Sequence, residues 1–170
     1  MIIKLFGALI IIVSCAGFGF CINAKNKLKI NELKNMRTCL DIMEREMCMS
    51  FKTLFDAIEI IQDDSSKINK QLFNEILKYR NNNETLIDSE KMTDILNKFS
   101  NLYDSKDIKI IKGLTNFIRC ENTETLKEIF FKIKLDLDDR ISEVSENIKN
   151  KRVFEKLSVY IGIIISVFFI

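Results

Sequence analysis

The chain has 170 residues and a formal net charge of +2, because 26 basic and 24 acidic residues nearly cancel. This length suits one compact domain, alone or with membrane anchors, and excludes a large multidomain enzyme. The sequence has no histidine, proline or tryptophan. The absence of histidine excludes Ser/His and Cys/His catalytic pairs and imidazole metal ligands, and the scarcity of turn-forming residues favours an all-α fold.

Residues 1–24 are predicted to form an N-terminal transmembrane helix. Leu5–Ile22 carries no charge over 18 residues, close to the roughly 20 residues that cross a bilayer core as a helix. Lys25, Lys27 and Lys29 follow this segment. Because basic residues stay on the inner side of a membrane, we expect the residues after the segment to lie in the cytoplasm and these lysines to contact anionic headgroups.

An exported lipoprotein is an alternative, because Ile12–Cys15 resembles a bacterial lipobox that would be cleaved and lipidated at Cys15. Two features oppose it: the apolar run continues past Cys15, and the lysines that follow resist export. The five cysteines include no C-x-x-C pair and are interpreted as reduced, small apolar residues rather than disulfide partners or zinc ligands. They are Cys15, Cys21, Cys39, Cys48 and Cys120.

Residues 25–152 are predicted to form a cytoplasmic bundle of antiparallel helices. Apolar residues recur every three or four positions and indicate one amphipathic helix from Lys25 to Gln62, continuous with the first apolar segment. The run 63–66 is expected to break this helix and to cap the next one. Three shorter helices then follow, around 68–77, 92–102 and 108–118, the last capped by Asp104 with Ser105.

The last predicted helix begins at Thr123 and extends to the C-terminus. Its final part, residues 153–170, is predicted to be a second transmembrane helix. Lys149, Lys151 and Arg152 precede it. These basic residues again lie on the inner side, so both ends agree on a topology with residues 25–152 in the cytoplasm.

No residue pattern indicates a catalytic, cofactor-binding or metal-binding site. The carboxylates Asp136, Asp138 and Asp139 do not converge on a helix, and no phosphate-binding loop or nucleophile motif is present. The basic residues are not clustered with aromatic ones, which excludes a typical nucleic-acid surface. Candidate partner-binding residues are those on the polar faces of the two long helices: Arg37, Glu44, Arg45, Glu46 and Arg140.

The sequence resembles the stage III sporulation protein AB family of endospore-forming bacteria over nearly its whole length. The resemblance is carried by four segments: MIIKLFGALIIIVSCAGFGF at the start, ELKNMRTCLDIMEREM followed by LFDAIEII, IKGLTNFIRCENTETLKEIF, and LSVYIGIIISVFFI at the end. The sequence departs from the family where an aromatic residue and a proline usually follow the paired glutamates, since Cys48 and Lys52 stand there.

The resemblance implies a non-catalytic platform protein similar to the cytoplasmic domain of the F component of type II secretion and type IV pilus systems. It would lie in the mother-cell membrane that engulfs the forespore, within a channel or feeding-tube complex, with no cofactor. Its implied partners are the secretion-type ATPase of the same operon and other stage III membrane proteins, and a homo-oligomer is compatible with this. Alternatives are a membrane-anchored signalling or sensor protein and the exported lipoprotein.

Overall fold

A computed structural model describes the backbone of residues 2–81, 89–119 and 122–169, and the side chains of residues 14, 24–78, 90–117 and 122–150. Within these ranges every regular element is a helix, which confirms the predicted all-α class. The elements are α1 (Ile2–Cys48), α2 (Leu54–Ile61), α3 (Lys67–Asn81), α4 (Ser89–Asn97), α5 (Ser105–Ile111), a 3-10 helix (Lys112–Arg119) and α6 (Thr123–Phe169).

The chain divides into two compact units, one of residues 1–28 and 142–170 and the other of residues 29–141, here called the helical unit. In the part of the chain that the structure describes, no helix is both long and apolar enough to cross a membrane. Apart from Ser14 and Ala24, the predicted membrane helices 1–24 and 153–170 lie outside the residues whose side chains are described.

The core of the helical unit follows the three-and-four spacing of α1. Leu33, Met36, Leu40 and Met43 are at most 1% exposed. Burial of one stripe is what an amphipathic helix contributes to a core. Side chains from the other helices complete the core, including Ile58, Leu72, Phe73, Ile76, Ile95, Leu96, Leu114, Phe117, Phe130 and Leu137. The rings of Phe117 and Phe130 stack with centroids 4.0 Å apart.

The prediction of one helix from Lys25 to Gln62 is wrong, although its continuity with the N-terminal apolar segment is confirmed. Helix α1 ends at Cys48, and α2 begins at Leu54. Phe51 has a φ of 53°, in the left-handed region, and this conformation turns the chain away from the axis of α1. Thr53 then caps α2 by accepting a hydrogen bond from the Asp56 N–H. Apolar residues keep helical spacing across this turn, so periodicity alone conceals it.

The shorter helices also differ from the prediction. Four α-helices and a 3-10 helix, rather than three helices, lie between α1 and α6 in the described residues. Helix α4 ends at Asn97, so Phe99 and Leu102 lie in the following turns. The predicted helix around 108–118 is divided into α5 and the more tightly wound 3-10 helix. An added Cβ at Gly113 would lie 2.9 Å from Ile133 Cδ1, so this segment packs closely against α6.

Two predicted helix starts are confirmed by their caps. The Ser66 hydroxyl accepts a hydrogen bond from the Asn69 N–H at 3.2 Å, just before α3. Asp104 and Asp107 form a complete capping box at the start of α5. Helix α6 begins at Thr123 as expected.

Candidate interaction surface on the two long helices

Helices α1 and α6 are joined within the helical unit by a series of ion pairs, here called the ion-pair ladder (Arg37, Asp41, Glu44, Lys134 and Asp138). Arg37 Nε donates to Asp138 Oδ2 at 3.1 Å. Lys134 Nζ donates to Asp41 Oδ1 at 3.0 Å and to Glu44 Oε2 at 2.6 Å. Residue numbers rise along α1 while they fall along α6, so this pairing is antiparallel, as predicted.

The ladder is partly shielded from water but not buried. The exposed fraction of the side chain is 14% for Lys134 and 53% for Asp41. Burial tends to raise the pKa of Asp41, but hydrogen bonds from Arg37 and Lys134 outweigh it and lower that pKa. Burial tends to lower the pKa of Lys134, but Glu44 and Asp41 raise it above the ordinary value. Both groups therefore remain charged at neutral pH.

Two large apolar side chains lie exposed beside the ladder. Phe131 is 67% exposed and Leu135 is 50% exposed. Because side chains three and four residues apart share a helix face, Phe131 lies on the same side of α6 as Lys134 and Leu135. We call these two residues the apolar pair, and the pair together with the ladder the docking face. An exposed aromatic residue beside ordered charges is typical of a protein interaction surface.

The structure places two of the predicted partner-binding residues in the ladder, pairs two others with each other near the end of α1, and places Arg140 elsewhere. Arg37 and Glu44 belong to the ladder, and Arg45 is exposed one residue further along α1. Glu46, in the last turn of α1, accepts a hydrogen bond at 2.7 Å from the Nζ of Lys52, which lies beyond the end of that helix. No partner is described, so the role of these residues in binding stays a prediction.

The placement of Arg140 on a polar surface is wrong. Its side chain is only 8% exposed, and its Nε donates to Asp107 Oδ1 at 2.8 Å. Arg140 also binds Asp104. Lys29, predicted only as a membrane-flanking residue, donates to Asp104 Oδ2 at 2.7 Å, and its side chain is 13% exposed. Two cations from the long helices thus meet the two carboxylates that cap α5.

A network of neutral and acidic groups lies next to these charges. Tyr103 is fully buried and donates its hydroxyl to Asn69 Oδ1. Asn69 Nδ2 donates to the backbone oxygen of Glu32 at 3.0 Å and to Asn35 Oδ1 at 2.9 Å. The Glu32 carboxylate accepts from the Ser66 hydroxyl. We call the whole set the polar centre: Lys29, Glu32, Asn69, Tyr103, Asp104, Asp107 and Arg140.

The polar groups of the polar centre are paired, as buried polar groups in a packed fold must be. Buried charges and amides are costly unless they are paired, and hydrogen bonds or ion pairs here link α1, α3, α5 and α6. In the described part of the chain, no group of three acidic or cysteine side chains is arranged to hold a metal ion. Asp138 binds Arg37, while Asp136 and Asp139 are exposed to solvent.

The described cysteines are free and buried. Burial raises the pKa of the Cys39 thiol to about 12 and also raises that of Cys48. Both thiols are therefore protonated at neutral pH, as expected for small apolar residues. The side chains of Cys15, Cys21 and Cys120 lie outside the described residues.

The predicted membrane-flanking residues Lys25, Lys27 and Lys149 are exposed, and the side chains of Lys151 and Arg152 lie outside the described set. Sequence reasoning missed the polar centre and the apolar pair. The spacing of Asp104 and Asp107 signals a cap but does not reveal which cations approach it. Phe131 and Leu135 lie outside the apolar stripe of α6, and this position in the sequence could have indicated that both side chains are exposed.

A protein-family model, stage III sporulation protein AB, matches residues 4–170. No curated protein and no solved structure matches the chain.

Proposed function

Because the chain belongs to the stage III sporulation protein AB family, we propose that it is a non-catalytic membrane platform component of a sporulation-specific, secretion-like complex. In this proposal, residues 1–24 and 153–170 anchor the chain in the mother-cell membrane around the forespore. Residues 25–152 lie in the cytoplasm, dock a secretion-type ATPase and couple it to other stage III membrane proteins.

The observation that carries the docking role is the exposure of Phe131 and Leu135 beside the ion-pair ladder. A fold that needed these side chains for its own core would bury them, and burial of such residues is a main source of binding free energy. The neighbouring ladder charges can exchange their present partners for those of another protein at a modest cost, because partly exposed ion pairs contribute little to stability.

The location of this face on α1 and α6 supports the coupling role. Each is a single helix of 47 residues that contains one of the two uncharged terminal segments. A partner that binds the docking face therefore contacts the same two helices that carry the proposed membrane anchors. The charged groups of the polar centre have ion-pair or hydrogen-bond partners within the fold, which supports a structural role for them.

The test is binding of the full chain, in lipid nanodiscs, to the purified secretion-type ATPase that the proposal assigns to the same operon. We expect the wild-type chain to bind, and the double variant Phe131→Gln, Leu135→Gln to lose about tenfold or more in affinity, because it removes exposed apolar area from the contact. Ile60→Gln is the matched control, since Ile60 is a 38% exposed apolar residue on α2.

Each outcome has a definite meaning. Loss of binding in the double variant with wild-type binding in the control supports the docking face. A wild-type chain that does not bind the ATPase contradicts the docking role. Equal binding by wild type and double variant places the contact elsewhere on the protein.

A further inference from the structure

The positive and negative groups of the ion-pair ladder differ in their exposure to water. The cations are recessed: the side chain of Lys134 is 14% exposed and that of Arg37 is 26% exposed. The side chains of Asp41 and Asp138 are each 53% exposed, and that of Glu44 is 29% exposed. A protein that approaches the ladder therefore meets mainly carboxylate groups.

Exposed carboxylates also flank the apolar pair along α6. Glu128 precedes Phe131 by three residues and Asp139 follows Leu135 by four, spacings that place each carboxylate on the same helix face as its apolar neighbour. Both acidic side chains are exposed, and neither forms an ion pair in the described part of the chain. One uncompensated carboxylate thus lies at each end of the apolar pair.

Carboxylates outnumber cations over the whole docking face. Residues 34–44 of α1 and 122–139 of α6 contain five cations and seven carboxylates, a net charge of −2, although the chain as a whole carries +2. The adjoining residues 45–56 add two of each and leave this excess unchanged. The cations of the first two ranges are Lys34, Arg37, Lys127, Lys132 and Lys134, and the carboxylates are Asp41, Glu44, Glu124, Glu128, Asp136, Asp138 and Asp139.

The sign of this charge distinguishes between possible occupants of the docking face. Surfaces that bind anionic lipid headgroups use lysine and arginine, and an excess of carboxylates is repelled by such headgroups. A protein surface that carries lysine or arginine is instead attracted, and complementary charges of this kind also speed association. The docking face is therefore suited to a basic protein surface.

We propose that the docking face binds an apolar cleft with a basic rim on the secretion-type ATPase. This inference rests on the proposed function and specifies the chemistry of the partner surface. Phe131 and Leu135 fill the cleft, while cations of the rim pair with Glu128 and Asp139 at its two ends.

The ladder can take part in this contact without losing its own pairs. A carboxylate has two oxygens and about four positions that accept hydrogen bonds. Asp138 accepts a hydrogen bond from Arg37, and Asp41 from Lys134, while both side chains remain half-exposed. A cation of the partner can therefore bind the outer side of either carboxylate.

The test compares charge variants of the full chain in nanodiscs, with the same ATPase as the probe. The double variant Glu128→Gln, Asp139→Asn removes two exposed negative charges and keeps Phe131 and Leu135. We expect its affinity at low ionic strength to fall by about fivefold, mainly through slower association. The affinity of the wild-type chain should fall as salt is added, and that of the double variant should fall less.

Lys132→Gln is the matched control, because it removes an exposed charge of the opposite sign from the same part of α6. We expect it to raise the affinity by about twofold, since a cation on the docking face repels a basic rim. A perturbation of α6 alone has no reason to change the affinity in opposite directions in the two variants.

Opposite changes of affinity in the two variants support the basic rim. Higher affinity in Glu128→Gln, Asp139→Asn, lower affinity in Lys132→Gln, or affinities that depend on neither charge nor salt overturn it. In each of these cases weak binding by Phe131→Gln, Leu135→Gln leaves the proposed function standing. Absence of ATPase binding by the wild-type chain overturns both, and capture of anionic vesicles or self-association through the apolar pair then identifies lipid or a second copy as the occupant.

Discussion

The polar centre and the ion-pair ladder both attach α6 to other helices through charges, but the innermost pair of the polar centre has less access to water than the carboxylates of the ladder. Arg140 and Asp107 have side chains that are 8% and 0% exposed, whereas Asp41 and Asp138 are each 53% exposed. Removing one member of a buried pair leaves a charge without compensation, while a half-exposed charge regains water. This difference supports a structural role for the Arg140–Asp107 pair and is compatible with the binding role that we propose for the ladder.

The largest effect is expected from Arg140→Met, because it leaves the buried carboxylate of Asp107 with one cation fewer. We expect the free energy of unfolding to fall by about 3–5 kcal/mol. Chemical denaturation of the full chain in detergent, followed by circular dichroism, measures it. The matched control is Lys132→Met, an exposed cation on the same helix, which should cost less than about 0.5 kcal/mol. Equal losses of unfolding free energy in Arg140→Met and Lys132→Met would contradict a stabilising role for the buried ion pair.

Tyr103→Phe tests the neutral part of the polar centre. The substitution removes the hydroxyl that binds Asn69 Oδ1 and leaves this buried oxygen without that donor. We expect a loss of about 1–3 kcal/mol in the free energy of unfolding, with little change in the volume of the core. Faster hydrogen exchange of α3 amides should accompany it. An unchanged free energy of unfolding would mean that the hydroxyl bond contributes nothing net.

The pKa of Asp104 predicts how the stability of the folded state changes in acid. Burial tends to raise its pKa, but hydrogen bonds from Lys29 and the Asp107 backbone, with the charges of Lys29 and Arg140, lower it from 3.8 to about 2. The folded state therefore favours the carboxylate, and this stabilisation is present above pH 3.8 and is lost as the pH falls toward about 2.

The expected contribution of Asp104 is about 1 kcal/mol or less, because its side chain is 48% exposed and solvent screens its ion pairs. Unfolding of the wild-type chain and of Asp104→Asn, measured at several pH values, provides the check. We expect the difference between them to shrink through this acidic window. A difference that stays constant down to pH 2 would contradict the lowered pKa.

Lys134→Gln is expected to have a small effect on stability, although it removes two ion pairs. The loss should be about 0.5–1 kcal/mol and should decrease as salt is added, since the ladder is partly exposed. Unfolding at low and high ionic strength measures both quantities. A loss as large as that of Arg140→Met would assign the ladder to the core and weaken its proposed role in binding.

Much of the fold could be predicted because it depends on local patterns. The stripe of Leu33, Met36, Leu40 and Met43 indicates a buried helix face, and Asp104 marks a cap by its residue type and position. The break after Cys48 could not be predicted, because it depends on a left-handed Phe51, a conformation that the sequence does not favour. Apolar spacing continues on both sides of that turn.

The pairings of charged residues were less predictable than the helices. Arg140 lies among acidic and polar residues of α6, so a surface position was the natural interpretation. Its actual partners, Asp104 and Asp107, are more than 30 positions away and reach it only when α5 packs on α6. Long-range contacts of this kind follow from tertiary packing, which residue spacing along one helix does not contain.

The most direct test of the central proposal is the side of the membrane on which the helical unit lies. A single new cysteine at the exposed Ser100 is introduced, with Cys15, Cys21 and Cys120 replaced by serine. Cys39 and Cys48 can be kept because they are buried, and the same variant without the new cysteine controls for their labelling. The probe is a membrane-impermeant maleimide, applied to cells before and after lysis.

We expect the new cysteine to be labelled only after lysis, because the proposed function places the helical unit in the cytoplasm, where it can meet a cytosolic ATPase. Labelling in intact cells would contradict it, because the helical unit would then lie outside the cell and out of reach of that partner.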